Sequence, residues 1–422
     1  MSATNIVRAS GTATSVAVEA CQACGSERLE NVLSLGYMPP VNQMVAIGDL
    51  PRQSTWFPTP LLYCGRCELV QLGLIVDPAI IFPPEYPYTS GTTRILRDNF
   101  ADLYSESSIM LGLGKNDFIV DMGSNDGTLV SNFLRGGHRV LGIEPTNVSR
   151  IANDRGIPTL QSYFTADVAR EVKSTHGFAK IITAANCFAH IEDVHATLEG
   201  VIDLLAPDGV FISESHYLVS LLERLQYDTI YHEHLRYYSV TSLSNLLSTH
   251  SLDVFHVRAI PSHGGSIRAY AARRGTQPIQ ASVKSFIEGE PHGDTLRAAL
   301  AGFRNKVMLS KLQLLSLIRG IKEEGGRICG ISAPSRASTL VNYIGLDEAI
   351  IDYVCEIQAS LKIGKYIPGT QIPVVDESQL VIDQPECAII FSWHIADEIA
   401  PKLRDMGYRG TLVSPLPVPR IL

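Results

Sequence analysis

Four cysteines in the N-terminal part of the sequence stand in two close pairs. The first CxxC pair is Cys21 and Cys24, the second is Cys64 and Cys67, and 39 residues separate the pairs. Two CxxC turns can present four thiolates to one tetrahedral metal ion, and four thiolates suit zinc. Because four ligands fill every coordination position, the pairs predict a structural zinc site. A redox-active CxxC motif and a chance pairing are the alternatives.

A glycine-rich segment, Asp121–Gly127, has the sequence DMGSNDG and lies between a predicted strand and a predicted helix. Glycines let a backbone approach a ligand closely, and the start of a helix offers free N–H groups. Glu144 stands 23 residues after Asp121, where a carboxylate can accept hydrogen bonds from both hydroxyls of a ribose. This spacing is typical of S-adenosylmethionine sites. Neither GxGxxG nor a P-loop lysine is present, which argues against NAD and a triphosphate, and the alternative is a glycine-rich turn without a ligand.

The segment Tyr231–His234 has the sequence YHEH and places four ionisable side chains in succession. Such groups are costly to bury without a purpose. A histidine titrates near neutral pH, and beside a carboxylate and a phenol it is suited to general-base catalysis. The spacing does not match the HExxH motif of zinc proteases. A polar loop at the surface is the alternative interpretation.

The elements that would position these residues follow an α/β pattern. Strands are predicted at 118–121, 139–143, 180–185, 210–213 and 267–272, and helices at 94–111, 128–134, from 152 and at 194–205, which indicates a doubly wound parallel sheet. A long helix is predicted at 294–320, because apolar residues recur there at helical spacing: Leu296, Leu300, Phe303, Val307, Leu314 and Ile318. More strands are predicted at 327–332, 350–355 and 388–392.

The predicted organisation therefore has four parts. We expect a disordered tail at 1–18, a zinc-binding module at 19–85 and an α/β domain at 86–280. The long helix and a second α/β domain are expected at 281–422.

Composition and charge exclude several classes of protein. The chain has 422 residues, of which 45% are apolar and 18% charged, which is typical of a globular protein and excludes a collagenous or wholly disordered chain. It has 35 lysines and arginines against 43 aspartates and glutamates, and the net charge of −8 argues against nucleic acid as a partner. No apolar run approaches the roughly 18 residues of a membrane span, and no secretory signal is visible, so we expect a cytoplasmic protein without a membrane partner.

Taken together and in this order, the motifs resemble those of the sugar-nucleotide C-methyltransferases of deoxysugar biosynthesis, which methylate a carbon of a 4-keto-6-deoxyhexose. The resemblance covers roughly residues 20–420, and its most specific motifs are YHEH and the later HGGSIR at 263–268. The other matching segments are the two CxxC pairs, Tyr86–Ser90, Asp121–Gly127 with Glu144, Ala333–Arg336 and Lys365–Gly369. The resemblance implies an N-terminal zinc module, a central class I S-adenosylmethionine-dependent methyltransferase fold and a C-terminal Rossmann-like domain that binds substrate.

The resemblance also implies a mechanism and roles for individual residues. A base removes the proton beside the ketone of a nucleotide-linked sugar, and the resulting enolate accepts a methyl group. The base is His234, while Glu233 orients its ring and Tyr231 and Tyr86 donate to the enolate oxygen or position the sugar. The residues expected to contact S-adenosylmethionine are Asp121, Gly123, Ser124, Asn125, Glu144, Asn186, His190, Tyr88 and Ser90. Those expected to contact the sugar and its diphosphate are His263, Ser266, Arg268, Arg336 and Lys365.

Several positions depart from the pattern of these enzymes. The departures are Glu214–His216, Arg236 with Tyr237, Arg336 in place of a usual lysine, and His394 in place of a usual asparagine. They lie on the substrate side, so the sequence predicts intact methyl-transfer machinery and an altered substrate. The alternatives are a methyltransferase of the same architecture acting on a non-sugar substrate, a NAD-dependent nucleotide-sugar enzyme, and a binding module. We expect a small-molecule partner and a monomer or weak homodimer.

Overall fold

The N-terminal part of the chain forms short antiparallel strands around the cysteine pairs. The computed structural model describes residues 11–12, 14–49, 54–82 and 86–422. The first elements are β1 (Gly11–Thr12), β2 (Ser15–Ala17), β3 (Leu29–Met38), β4 (Phe57–Cys64), β5 (Val70–Leu72), β6 (Leu74–Val76) and α1 (Pro78–Ile81). A disordered tail was predicted at 1–18, but β2 pairs with both β1 and β6, which supplies hydrogen-bond partners to its backbone. Residues 1–10 and 13 of that prediction lie outside the described residues.

The central part of the chain forms a seven-stranded sheet. Its elements are α2 (Arg94–Leu111), β7 (Phe118–Met122), α3 (Thr128–Arg135), β8 (Arg139–Ile143), α4 (Ser149–Asp154), β9 (Thr159–Leu160), α5 (Ala166–His176), β10 (Ala179–Ala185), α6 (Val194–Leu204), β11 (Leu205–His216), α7 (Leu218–Glu223), β12 (Arg236–Tyr237), α8 (Val240–Thr249), β13 (Leu252–Ile260), β14 (Ser266–Arg273) and α9 (Ala281–Gly289). The strand order is β13-β14-β11-β10-β7-β8-β9. Strands β7 to β11 run parallel, and β14 and β13 add to one edge in antiparallel fashion.

Helices cover both faces of this sheet. Neighbouring side chains of a strand point to opposite faces, so each buried strand packs apolar residues against helices on both sides. Ile119 of β7 packs in one apolar cluster with α2 and α3, whereas Val120 packs in another with α5 and α6. The predicted doubly wound fold is therefore confirmed. A helix was predicted to start at residue 152, whereas α4 already starts at Ser149 and ends at Asp154, and α5 follows the short strand β9. Helix α5 buries only Ala169 and Val172, which left a weak apolar signal in the sequence.

The fourth strand of the zinc-module sheet comes from the central part of the chain. In the order β12-β5-β4-β3, Arg236 of β12 pairs with Gln71 and Tyr237 pairs with Val70. The pairing comes directly after the YHEH segment, and Leu72 N also donates to Leu235 O at 2.9 Å. The zinc module thus holds the C-terminal end of the YHEH loop in place.

The C-terminal part of the chain begins with the predicted long helix. Its elements are α10 (Gly293–Glu323), β15 (Ile328–Ile331), α11 (Ser335–Ile344), β16 (Val354–Glu356), β17 (Val374–Asp376), α12 (Ser378–Asp383), β18 (Cys387–Ile390), α13 (Ala396–Asp405), β19 (Thr411–Ser414) and β20 (Arg420–Ile421). The sheet order is β17-β16-β15-β18-β19-β20, parallel except for β20. All six apolar residues predicted for α10 are buried, in a cluster that also contains Leu33 of the zinc module and Leu340 of α11. Helix α10 therefore packs the zinc module against the C-terminal domain.

No helix within the described ranges is long and apolar enough to cross a membrane.

Candidate active site

The four cysteines predicted to bind zinc lie together. Their sulfur atoms are all within 4.8 Å of one another. The Sγ atoms of Cys21 and Cys67 are 3.5 Å apart, and those of Cys24 and Cys64 are 3.6 Å apart. Tetrahedral zinc with Zn–S bonds of about 2.3 Å holds its sulfur ligands about 3.8 Å apart. The donor set and its spacing therefore fit one structural zinc ion.

The glycine-rich loop after β7 turns sharply into α3. Gly123, Asn125 and Gly127 have φ angles of 64°, 52° and 76°, in the left-handed region that favours glycine and asparagine. A Cβ atom added to Gly123 would lie 2.8 Å from Cβ of Cys187, so a larger residue does not fit without displacing that side chain. This loop lies at the carboxyl edge of the parallel sheet, where open α/β sheets bind ligands. Gly123 N and Ser124 N donate to Ile143 O, and Gly127 N donates to Ser124 O, so the loop offers a close approach of its backbone and not these N–H groups.

Asn125 connects this loop to the segment that follows the zinc module. Its Oδ1 accepts a hydrogen bond from Ser90 N at 2.8 Å, and its Nδ2 donates to Tyr88 O at 3.2 Å. Its backbone N donates to Oε2 of Glu144 at 3.0 Å. The structure thus brings together four of the residues that sequence analysis assigned to the cofactor.

Two buried carboxyl groups flank the loop. Glu144 follows β8, and its Oε1 accepts from the N and Oγ1 atoms of Thr146 at 2.9 and 2.6 Å. A carboxylate has about four acceptor positions, so Glu144 can accept further hydrogen bonds. Asp121 accepts from Thr183 Oγ1 at 2.6 Å, and burial raises the pKa of Asp121 to about 7. The acceptor chemistry at the end of β8 fits the ribose of S-adenosylmethionine.

A cavity of about 280 Å³ lies between the central and C-terminal domains. Tyr86, Asn186 and Glu233 line it together with residues of the C-terminal domain. Its lining also includes five histidines, namely His190, His216, His234, His263 and His394. Burial lowers the pKa of His190 and of His263 to about 4 and lowers that of the other three well below the usual range. All five imidazoles are therefore neutral at neutral pH.

His234 is held by a single backbone acceptor. Its Nδ1 lies 2.7 Å from Thr229 O, and a carbonyl can only accept, so the ring proton sits on Nδ1. The Nε2 lone pair is left for a proton from a ligand in the cavity. The Tyr231 ring lies 4.1 Å from the imidazole, centre to centre, and the His190 ring 4.9 Å. This geometry suits a general base.

Glu233 does not orient His234, contrary to the role expected from the sequence. Its Oε1 accepts from Asn42 Nδ2 at 2.6 Å and its Oε2 accepts from Tyr86 OH at 3.1 Å. The side chains of Glu233 and His234 point in different directions. The acceptor for His234 Nδ1 is therefore Thr229 O and not the carboxylate of Glu233. Burial raises the pKa of Glu233 to about 7, while the hydrogen bonds from Asn42 and Tyr86 act in the opposite direction.

Arg268 is not a substrate ligand, and this prediction is wrong. Its side chain is fully buried outside the cavity lining. Its Nε donates to Glu214 at 3.0 Å, its Nη1 to Asp102 and Glu106 at 3.0 and 2.7 Å, and its Nη2 to Asn99. Because these acceptors occupy the whole guanidinium group, no donor is left for a diphosphate. Arg268 instead fastens α2 to the sheet.

Two more predicted substrate residues lie away from the cavity. Ser266 is buried and donates to Ser262 O at 3.1 Å. The lining of the cavity does not include the side chain of Lys365, whereas it does include that of Lys362. Nζ of Lys362 donates to Ala333 O at 2.7 Å, which leaves two of its N–H groups for other partners. The lysine that lines the cavity is therefore Lys362, three residues before the predicted Lys365.

Arg336 lines the cavity as predicted, but protein groups take most of its donors. Its guanidinium pairs with Asp228, with Nε 2.9 Å from Oδ2 and Nη2 3.0 Å from Oδ1. Nη2 also donates to Gln226 Oε1 at 3.1 Å, and Nη1 lies 2.9 Å from Nδ1 of His394. Its charge is largely neutralised by Asp228, so it is a weaker phosphate ligand than the sequence suggests.

Comparisons with known proteins identify the family. Models of a zinc binding domain, a methyltransferase domain and a C-methyltransferase C-terminal domain match residues 21–82, 94–257 and 261–417. C-methyltransferase NovU of Streptomyces niveus is 32% identical over 409 residues, which cover 96% of this chain and 97% of that protein. The chain belongs to the C-methyltransferase family.

Among solved structures, the PH0226 protein of Pyrococcus horikoshii is 14% identical, with a TM-score of 0.35, and the match covers 47% of this chain and 97% of that one. Magnesium protoporphyrin IX methyltransferase of Synechocystis with bound SAH is 12% identical, with a TM-score of 0.32, and the match covers 42% and 82% of the two chains. Both matches cover less than half of the C-methyltransferase.

The C-methyltransferase uses S-adenosylmethionine and carries a zinc-binding module, as predicted. Its family membership excludes the alternative of a binding module and that of a NAD-dependent enzyme. Glu144 would hold the cofactor beside the glycine-rich loop at 123–127, and the four cysteines would hold zinc.

Several residues around the cavity were not predicted from the sequence. Asn42 belongs to the zinc module yet contacts Glu233, and Thr229 orients the ring of His234 through a carbonyl that any residue possesses. In the sequence, Asp228 is distinguished only by its position close to the YHEH segment. His216 and His394 were noted as departures from the family pattern, which was the available signal that they line the cavity.

We expect Glu144→Ala to weaken binding of S-adenosylmethionine, because it removes the acceptor for the ribose hydroxyls. The expected loss is about 1–3 kcal/mol, the range for hydrogen bonds to a charged group. Calorimetric titration measures it, with Glu171→Ala on exposed α5 as the control. An unchanged dissociation constant in folded Glu144→Ala would show that another residue holds the ribose.

Proposed function

We propose that the enzyme methylates the carbon beside the ketone of a nucleotide-linked 4-keto-6-deoxysugar, with His234 as the general base. The observation that carries this proposal is the hydrogen bond of 2.7 Å from His234 Nδ1 to Thr229 O, which leaves Nε2 free in the cavity. A base that must accept a proton from carbon has to be neutral and correctly oriented, and His234 meets both conditions.

The reaction first moves one proton from the substrate to His234 and one electron pair within the substrate. His234 Nε2 takes the proton from the carbon beside the ketone, and the electron pair of the C–H bond moves onto the ketone oxygen to form an enolate. S-adenosylmethionine supplies an electrophilic methyl group when it is bound. The enolate oxygen needs hydrogen-bond donors. Burial raises the pKa of Tyr231 well above its usual range, so its phenol stays protonated and can donate.

Glu233 and Tyr86 shape the wall of the cavity next to this base. Tyr86 OH donates to Glu233 at 3.1 Å and accepts from Asn42 Nδ2 at 3.3 Å, so its position is determined from two sides. Burial raises the pKa of Tyr86 well above its usual range and keeps the phenol neutral. We assign Tyr86 to positioning the sugar.

The size and charge of the neighbouring space support a substrate larger than a free sugar. A second cavity of about 530 Å³ shares Tyr88, Pro334, Lys362 and Ser392 with the first. Lys362 brings an ammonium group to the first cavity with two N–H groups left for other partners, which suits a diphosphate.

Incubation with methyl-labelled S-adenosylmethionine and a panel of nucleoside diphosphate 4-keto-6-deoxyglucoses tests this function. We expect label in a sugar nucleotide whose carbon beside the ketone has gained a methyl group, located by NMR. The same sugars reduced at the ketone are the matched control and should accept no label, because no enolate can form. Transfer to the reduced sugars, or to oxygen instead of carbon, would contradict the proposal.

A further inference from the structure

His394 lies in the same cavity as His234 but on the C-terminal domain, in the 3₁₀ turn Trp393–Ile395. Among the five cavity histidines and within the described parts of the chain, His234 and His394 are the two whose ring nitrogens hydrogen bond to protein groups. Their tautomers are therefore determined by the protein and can be compared.

The tautomer of His394 is opposite to that of His234. Arg336 Nη1 lies 2.9 Å from Nδ1 of His394, and a guanidinium can only donate, so Nδ1 accepts and the ring proton sits on Nε2. Burial and the charge of Arg336 lower the pKa of His394 well below its usual range and keep the ring neutral. No group in the described residues bonds to Nε2, so its N–H is a donor left for a ligand.

One short segment of the central domain determines both tautomers. Asp228 accepts from Trp393 Nε1 at 2.7 Å and pairs with Arg336 at 2.9 Å, which holds the turn that carries His394. The next residue, Thr229, accepts the proton of His234 Nδ1. The segment thus presents an acceptor nitrogen on His234 and a donor nitrogen on His394 to a single cavity.

We propose that His394 donates a hydrogen bond from Nε2 to the ketone oxygen of the substrate and stabilises the enolate. The inference rests on the proposed function and adds a donor to it. As the proton passes from carbon to His234 Nε2, negative charge develops on the oxygen, while His394 keeps its own proton. A neutral imidazole can stabilise such charge, because an ordered donor in a dry cavity does not need to reorganise.

The test compares His394→Ala with His394→Asn, using S-adenosylmethionine and thymidine diphosphate 4-keto-6-deoxyglucose as the probe. In His394→Ala we expect kcat to fall by about 10²–10³, the usual loss for one oxyanion donor, with a much smaller change in KM. Asparagine keeps an N–H donor, so His394→Asn should recover at least about tenfold of this loss. Deuterium exchange at the reacting carbon should fall in parallel. The control is His176→Asn on the exposed end of α5.

The outcomes separate this inference from the function on which it rests. If the wild type neither transfers methyl groups nor exchanges deuterium, the proposed function fails. If the wild type is active and folded His394→Ala keeps its kcat, or if only KM changes, the ketone-donor role is overturned. Nitrogen-15 NMR of histidine-labelled wild type is independent of the variants' folding. Nδ1 of His394 should be unprotonated, and a proton on Nδ1 would overturn the inference directly.

Discussion

His234→Ala should abolish methyl transfer while leaving the affinity for S-adenosylmethionine nearly unchanged. The variant removes the nitrogen that accepts the substrate proton, and general-base catalysis contributes about 10²–10⁴-fold in rate. Deuterium at the reacting carbon checks the step itself. The wild type should wash the label into water, and His234→Ala should retain it. Exchange at the wild-type rate in His234→Ala would move the base to another cavity residue.

Two comparisons sharpen this result. His234→Asn keeps polarity but lacks a useful base, so it should be nearly as inactive, whereas Glu233→Gln should lose less activity.

Burial holds the pKa of His234 well below 6.5, so kcat/KM should stay level as the pH falls through 6.5 and decline only at lower pH, where His234 gains a proton. If kcat/KM of the wild type instead declines near pH 7 and this decline disappears in Glu233→Gln, the titrating group is Glu233, whose pKa is about 7.

Cys64→Ser should lose zinc, unfold at a lower temperature and lose most of its activity. Cys64 ends β4, and the next strand of the same sheet, β5, pairs with Arg236 and Tyr237 directly after the YHEH segment. Structural zinc in small domains contributes about 10–16 kcal/mol to folding, so its loss should loosen the sheet and the YHEH loop together. Elemental analysis, thermal unfolding and turnover measure the three effects.

Cys355→Ser is the matched control for this prediction. It removes a buried thiol from β16, outside the four-cysteine cluster, so it should keep one zinc ion per chain. A full zinc content in Cys64→Ser, or normal turnover by the zinc-free variant, would contradict the coupling between the zinc module and the YHEH loop.

Local patterns were predictable because local chemistry determines them. The helix at 94–111 and the strand at 139–143 agree with the structure, since apolar periodicity within one element reports which face it buries. The four cysteines converge as predicted, because each pair forms its own tight turn. The glycine-rich loop was equally clear, because left-handed backbone conformations demand particular residue types.

Partners distant in the sequence were not predictable. A charged residue in a motif is equally consistent with a ligand contact and a buried ion pair, and only packing distinguishes them. Arg268 proved to be a buried ion-pair residue between α2 and the sheet, although its motif suggested diphosphate binding. Lys365 and Lys362 are three residues apart, and only the tertiary structure shows which one enters the cavity.

Three features were predictable from the sequence alone: the four zinc ligands, the glycine-rich loop followed by Glu144, and a histidine of a type suited to act as a base. Each of these depends on spacing within a short segment, and the chain's covalent geometry carries that information. The protonation geometry of the cavity, by contrast, follows from contacts that form only in the folded protein. His234 is oriented by the carbonyl of Thr229, and His394 by Arg336, whose charge is balanced by Asp228. A backbone carbonyl has no residue signature, and pairs separated by 108 positions meet only when two domains pack together.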